Sequence, residues 1–171
     1  MVVLMVGMTG AGKSTYAKAY AEKNKAVVYS IDNWMKTLFG DDMPDDPDSN
    51  WFFDNHKWYT QKITRCENQI LSLVTERGLK NQKSVLDLGF TQKEHRGKFI
   101  KALNAKGIET QIHYLDVDYE TCWERVQKRN KEKGKTFVMT VTKDMFEYME
   151  DSFQVPKASE TRLVKVNVNV V

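Results

Sequence analysis

The feature that most constrains this chain lies at its start. An apolar run, Val2-Val3-Leu4-Met5-Val6, passes directly into Gly7-Met8-Thr9-Gly10-Ala11-Gly12-Lys13-Ser14-Thr15 and then into a helical pattern. Glycines at positions 7, 10 and 12 let the backbone curl so that successive N–H groups converge on an anion. Lys13 is placed to reach the β- and γ-phosphates of a nucleotide, and Ser14 offers a hydroxyl to magnesium. A strand before and a helix after are what this phosphate-binding P-loop requires, because the helix N-terminus adds its dipole and unpaired amides to the site. Gly7, Thr9, Gly10, Ala11, Gly12, Lys13, Ser14 and Thr15 are therefore the candidate nucleotide-binding residues.

Further apolar runs rich in β-branched residues occupy Ala26 to Ile31, Ser84 to Leu88 and Thr110 to Leu115, each followed by turn or capping residues and then a helical pattern. Helices are predicted at about 13–24, 33–39, 92–106, 118–131 and 142–153. The longest, roughly 51–78, follows Tyr59, Ile63, Cys66, Ile70, Leu73 and Val74 at helical spacing, with Gly78 as its stop. Thr91-Gln92-Lys93-Glu94 reads as a capping box and Asp118 as an N-cap. Leu163 to Val171 alternates valines with Lys165, Asn167 and Asn169, the pattern of a final strand with one wet face. Strands alternating with helices imply right-handed βαβ crossovers, so the expected fold is a three-layer α/β architecture of about five mostly parallel strands with helices on both faces. At 171 residues the chain suits one domain. Pro44 and Pro47 make 41–50 an exposed loop, and with the long helix it forms an expected acceptor side at about 40–78, facing an expected lid at about 125–140.

The charge balance narrows the possible partners. A formal net charge of +3 is too small to imply a long nucleic-acid track. Charge is instead local: Asp41, Asp42, Asp45, Asp46 and Asp48 crowd the loop, whereas residues 123–135 are rich in Lys and Arg. Such a basic stretch suits phosphate handling and equally suits a solvated helix face. The run at the start is too short to cross a bilayer and has no basic flank ahead of it, so a cytoplasmic protein with no membrane association is expected. The two cysteines, Cys66 and Cys122, lie in helical patterns among apolar residues and are expected to be reduced. His56, His95 and His113 have no metal-ligand spacing.

Four more elements carry chemistry. Asp87 lies at the carboxyl end of the run Ser84 to Leu88, the edge of the sheet where ligands gather, and a carboxylate there can orient magnesium or its waters; the alternative is a strand-end cap, and beside a P-loop the metal role is favoured. Asp32 ends another run at the same edge, and is suited both to accept a proton from an attacking hydroxyl and to cap a helix. Arg125 and Arg129, four apart on one helix face, can close over phosphates or simply line the surface. The aromatic group Trp34, Trp51, Phe52, Phe53, Trp58 and Tyr59 can line an acceptor pocket or belong to the core.

Taken together, these residues resemble the small P-loop kinases of the zeta-toxin, chloramphenicol phosphotransferase and polynucleotide kinase group, especially a bacterial subgroup of AAA-type ATP-binding predicted kinases. The resemblance rests on Gly7 to Ser14, Ser30-Ile31-Asp32, Val85-Leu86-Asp87-Leu88-Gly89-Phe90, Glu94-His95-Arg96, His113-Tyr114-Leu115-Asp116-Val117, Arg125 to Asn130 and Phe153-Gln154-Val155-Pro156, and so covers nearly the whole chain. It implies the P-loop NTPase strand order 2-3-1-4-5, use of ATP and Mg2+, Asp32 as the base, and Arg125 and Arg129 as lid arginines. Arg96 matches a family arginine after the third strand, which can touch the acceptor, the nucleotide or only the protein, and it is grouped with Trp34 as a candidate substrate contact. Polynucleotide kinases carry an arginine close to the catalytic aspartate, whereas here Asn33, Trp34 and Met35 follow Asp32, which turns the expectation away from a nucleic-acid acceptor. The expected activity is transfer of the γ-phosphoryl group from ATP to a hydroxyl of a small molecule. The alternatives are a 5′-hydroxyl polynucleotide or nucleotide-sugar kinase, and a nucleotide-binding regulatory or toxin-like module.

Overall fold

The computed structural model describes residues 1–134, 137 and 139–167. Five strands, β1 (Val2–Gly7), β2 (Val27–Ser30), β3 (Ser84–Asp87), β4 (Thr110–Leu115) and β5 (Arg162–Val166), form one parallel sheet in the order β2-β3-β1-β4-β5. The helices are α1 (Lys13–Asn24), α2 (Ile31–Phe39), α3 (Ser49–Asp54), α4 (His56–Leu79), α5 (Lys93–Asn104), α6 (Tyr119–Glu132) and α7 (Lys143–Asp151). All six residues of β1 are buried because β3 and β4 flank it and helices cover it. Its side chains alternate: Val2, Leu4 and Val6 join the core that holds Met35 of α2 and Ile70 and Val74 of α4, while Val3 and Met5 meet Ala17 and Ala21 of α1. Each fully buried aliphatic side chain contributes roughly 1.5–3 kcal/mol, which makes β1 the strand the sheet can least lose.

Helix boundaries differ from the sequence pattern where a distant or polar partner intervenes. The expected helix at 51–78 is two helices, broken at Asn55, because Asp48 caps α3 by accepting from the Trp51 amide at 2.8 Å and α4 restarts at His56. Gly78 is no stop, since α4 continues to Leu79. A Cβ there would lie 2.7 Å from Ile108 Cδ1, so glycine serves a close approach. The capping box at Thr91 does not form either. Helix α5 starts at Lys93, and its amide is capped from far along the chain by Gln154 Oε1 at 2.8 Å. Asp118 caps α6 as expected, accepting from the Thr121 amide at 2.8 Å. The expected alternation at Val168, Asn169 and Val170, and Lys135, Thr136 and Val138 of the expected lid, lie outside the described residues. Cys66 and Cys122 are buried and unpaired. Among the described residues no helix is long and apolar enough to cross a membrane.

Candidate nucleotide and phosphoryl-transfer site

The carboxyl edge of the sheet gathers the candidate residues because parallel strands all end there. Register pairs Gly7 with Leu115 and Ser30 with Asp87, so the loop after β1, the end of β3 and the start of α2 are neighbours. The loop is tightly built. Ala11 is fully buried and its amide donates to Met8 O at 3.1 Å, while Gly12 is the left-handed N-cap of α1. Gly10 has φ +87°, and a Cβ there would lie 2.3 Å from Cys122 O, so only glycine permits this loop to pack on α6. Thr9 turns its hydroxyl to Met149 Sδ of α7 at 3.3 Å, and Thr15 is exposed on α1.

Lys13 is the first residue of α1, and its Nζ folds over the loop to donate to Gly7 O and Met8 O, both at 2.9 Å. Burial holds its ammonium below the usual lysine range, with Asp87 and Asp32 opposing. Ser14 Oγ donates to Asp87 Oδ2 at 2.7 Å. Asp87 is therefore bonded to the P-loop hydroxyl. Among the described residues no three His, Cys, Asp or Glu side chains cluster to hold a metal.

Asp32 is the second residue of α2 and does not cap it. Ser30 does, its Oγ accepting from the Asn33 amide at 3.4 Å, which leaves the Asp32 carboxyl free. The side chain is open to solvent on one side, yet the surrounding protein lifts its carboxyl above the usual range. Asp87 adds to that, and Lys13 and Arg129 oppose it. Both arginines of α6 face this edge. Arg125 Nη1 lies 3.5 Å from Ala11 O, and Arg129 is half-buried with its charge felt by Asp32. The Arg129 Nε is buried and has no hydrogen-bond partner among the described residues.

The structure separates the two suggested substrate contacts. Trp34 is half-buried, packs against the core and sits 6.5 Å from the Tyr29 ring. Tyr59, whose phenol burial and the nearby Asp32 push up to about 12, joins Trp51 and Phe52 in one edge-to-face cluster between α3 and α4. Arg96, by contrast, is enclosed by the protein, which favours the last of its three readings. It is 0% exposed, its Nε and Nη2 donate to Glu160 at 2.7 and 2.9 Å, and its Nη1 donates to the carbonyls of Phe90 and Thr91 at 3.2 Å. Its donors are occupied inside the protein. Sequence reasoning missed Glu160, Gln154 and the pairing of Glu67 Oε1 with His95 Nε2 at 2.8 Å, since none carries a local signal.

A glycine-rich loop at the carboxyl edge of a five-stranded parallel sheet ordered 2-3-1-4-5 defines a nucleotide-binding protein of P-loop kinase-like fold. The chain belongs to the AAA_33 family, an AAA domain whose family model matches residues 2–156. Its fold is shared by a Chloroflexus aurantiacus protein provisionally assigned as a kinase, 12% identical with a TM-score of 0.73 over 99% of this chain and 85% of that one. A gluconokinase from Sinorhizobium meliloti is 19% identical, with a TM-score of 0.57 over 98% of this chain and 82% of that one. The Mycobacterium tuberculosis APS kinase CysC, in complex with AMPPNP and APS, is 18% identical, with a TM-score of 0.56 over 96% and 87%. At these identities the likeness concerns the fold alone. No curated protein matches the chain.

Proposed function

We propose that this protein is an ATP- and magnesium-dependent kinase of the zeta-toxin, chloramphenicol phosphotransferase and polynucleotide kinase group. In this reading one domain transfers the γ-phosphoryl group to a hydroxyl of a small molecule. The observation that carries it is the convergence of Lys13, Ser14, Asp87 and Asp32 at one sheet edge, opposite Arg129 with its unpartnered buried Nε. The fold is that of a gluconokinase and an APS kinase, both kinases by name, which supports the same reading.

Lys13 would leave its two carbonyl partners for the β- and γ-phosphates as the loop amides of residues 7–15 close around them. Ser14 and Asp87 would hold magnesium, which when bound neutralises charge between the phosphates. The acceptor oxygen bonds to the γ-phosphorus while the bond to the β–γ bridging oxygen breaks. Its proton passes to Asp32, and ADP leaves. The raised affinity of Asp32 for a proton suits that role. Arg125 and Arg129 would stabilise charge on the equatorial oxygens. The absence of an arginine among Asn33, Trp34 and Met35 favours a small acceptor over a 5′-hydroxyl end, and Trp34 with the aromatic cluster would border it. The cytoplasm is the compartment this chemistry suits.

The test is ADP release across a panel of hydroxyl compounds and 5′-hydroxyl oligonucleotides, comparing native protein with Lys13→Ala and Asp32→Asn. Acceptor-stimulated release lost in both variants is expected, with little dependence of affinity on salt; steep salt dependence would point to a polyanionic acceptor. If ATP binds, no acceptor stimulates turnover and Asp32→Asn behaves as native, the kinase reading gives way to a regulatory nucleotide-binding module.

A further inference from the structure

The acidic loop between α2 and α3 does more than solvate a turn. Asp46 Oδ2 accepts from Lys133 Nζ at 2.8 Å and from Thr140 Oγ1 at 2.9 Å, and Asp46 Oδ1 accepts from the Thr140 amide at 2.8 Å. These contacts span 87 and 94 residues of sequence. They join the segments that follow two helices of the candidate site, α2 and α6. Helix α2 begins beside Asp32 and leads through the turn Gly40–Asp42 to Asp46, whereas α6 carries Arg125 and Arg129 and ends one residue before Lys133. The arginine side of this junction is itself anchored. Asn130 Nδ2 donates to Val141 O at 2.8 Å, its Oδ1 accepts from the Val141 amide at 3.1 Å, and the Val141 side chain is buried. Thr140 is therefore presented from a fixed root, and Asp46 docks onto it.

We infer that Asp46 is a positioning residue that couples the acceptor-side loop to the end of the arginine helix, so that the two sides of the cleft open together. Among the described residues the other aspartates of the loop make no such bridge. Asp48 caps α3, and Asp41 and Asp42 lie in the single turn Gly40–Asp42. One partly exposed ion pair reinforced by two hydrogen bonds is modest in strength, so its loss shifts a local opening equilibrium on the order of fivefold and does not unfold the domain.

Amide hydrogen exchange tests the coupling from both ends. The Met43 amide donates to Gly40 O in the loop, and the Lys133 amide donates to Arg129 O at the end of α6. Thr140→Val and Lys133→Met, changes on the arginine side, are expected to speed exchange at Met43 about fivefold. Asp46→Ala is expected to speed exchange at Lys133 by a similar factor. Lys128→Met, which removes only the exposed pair with Glu132 on the same helix, is expected to leave Met43 unchanged. Unchanged Met43 exchange in both arginine-side variants, or loosening confined to the mutated segment, would overturn the inference. Magnesium-ADP affinity is expected to stay within about twofold in Asp46→Ala. A tenfold loss would make Asp46 a nucleotide contact and overturn it too. Failure of the native protein to bind magnesium-ADP would instead strike the proposed function, with the exchange data still deciding the coupling.

Discussion

Replacing Arg96 with methionine separates a brace from a ligand contact. The guanidinium gives two bonds to the Glu160 carboxylate at 2.7 and 2.9 Å and two at 3.2 Å to the carbonyls of Phe90 and Thr91. Glu160 keeps only the Lys157 amide at 3.0 Å after the change, and its side chain is 4% exposed, so water does not replace what is lost. Breaking a buried pair from one side costs about 3–5 kcal/mol, because the remaining charge stays desolvated. Against a typical total of roughly 5–15 kcal/mol, that is a large share of the stability. At about 2–4 °C per kcal/mol for a domain of this length, the Tm should fall by roughly 6–20 °C. Urea unfolding of Arg96→Met, and of a double variant that also carries Glu160→Leu, measures it. The double variant should recover most of the loss, since an apolar pair of similar volume removes the stranded carboxylate. Arg96→Met within about 1 kcal/mol of native, with acceptor-stimulated turnover nonetheless lost, would refute the brace and return Arg96 to the substrate.

Gly10→Ala should lower the Tm by several degrees and weaken ATP binding, because its Cβ meets the Cys122 carbonyl at 2.3 Å. Gly97→Ala in α5, where a Cβ meets nothing within 4 Å, should stabilise by about 0.5–1 kcal/mol in the same thermal assay. Burial, with Arg162 nearby, lowers His113 from 6.5 to about 4, and Tyr16 Oη lies 2.9 Å from its Nδ1. Below its ordinary value the unfolded chain takes a proton that the fold refuses, so this contribution is fully present above about pH 6.5 and is lost as pH falls towards 4. Allowing for partial screening, native protein should lose about 2 kcal/mol more than His113→Gln between pH 7.5 and pH 4 in urea unfolding, and equal losses would refute the assignment.

What the sequence made legible and what it hid follow from the range of the forces involved. The P-loop could be read because phosphate binding is local: glycine spacing, Lys13 and Ser14 all lie within one turn of chain, and the strand and helix around them are set by periodicity. Asp87 and Asp32 were accessible as strand-end carboxylates, yet only register showed that Asp87 faces Ser14, and only the Ser30 cap showed that Asp32 is free. Periodicity names the face of an element and not its partner. Arg96 with Glu160, Lys93 with Gln154 and Asp46 with Lys133 lie 64, 61 and 87 residues apart, so each residue alone reads as an ordinary surface charge, cap or helix face. The open reading of Arg96 has this origin. An arginine near a site motif is attractive as a ligand contact until a buried carboxylate from another segment is seen to occupy it. Arg129 differs: it is also half-buried near a carboxylate, but its Nε has no hydrogen-bond partner among the described residues, which is what the proposed phosphate contact requires.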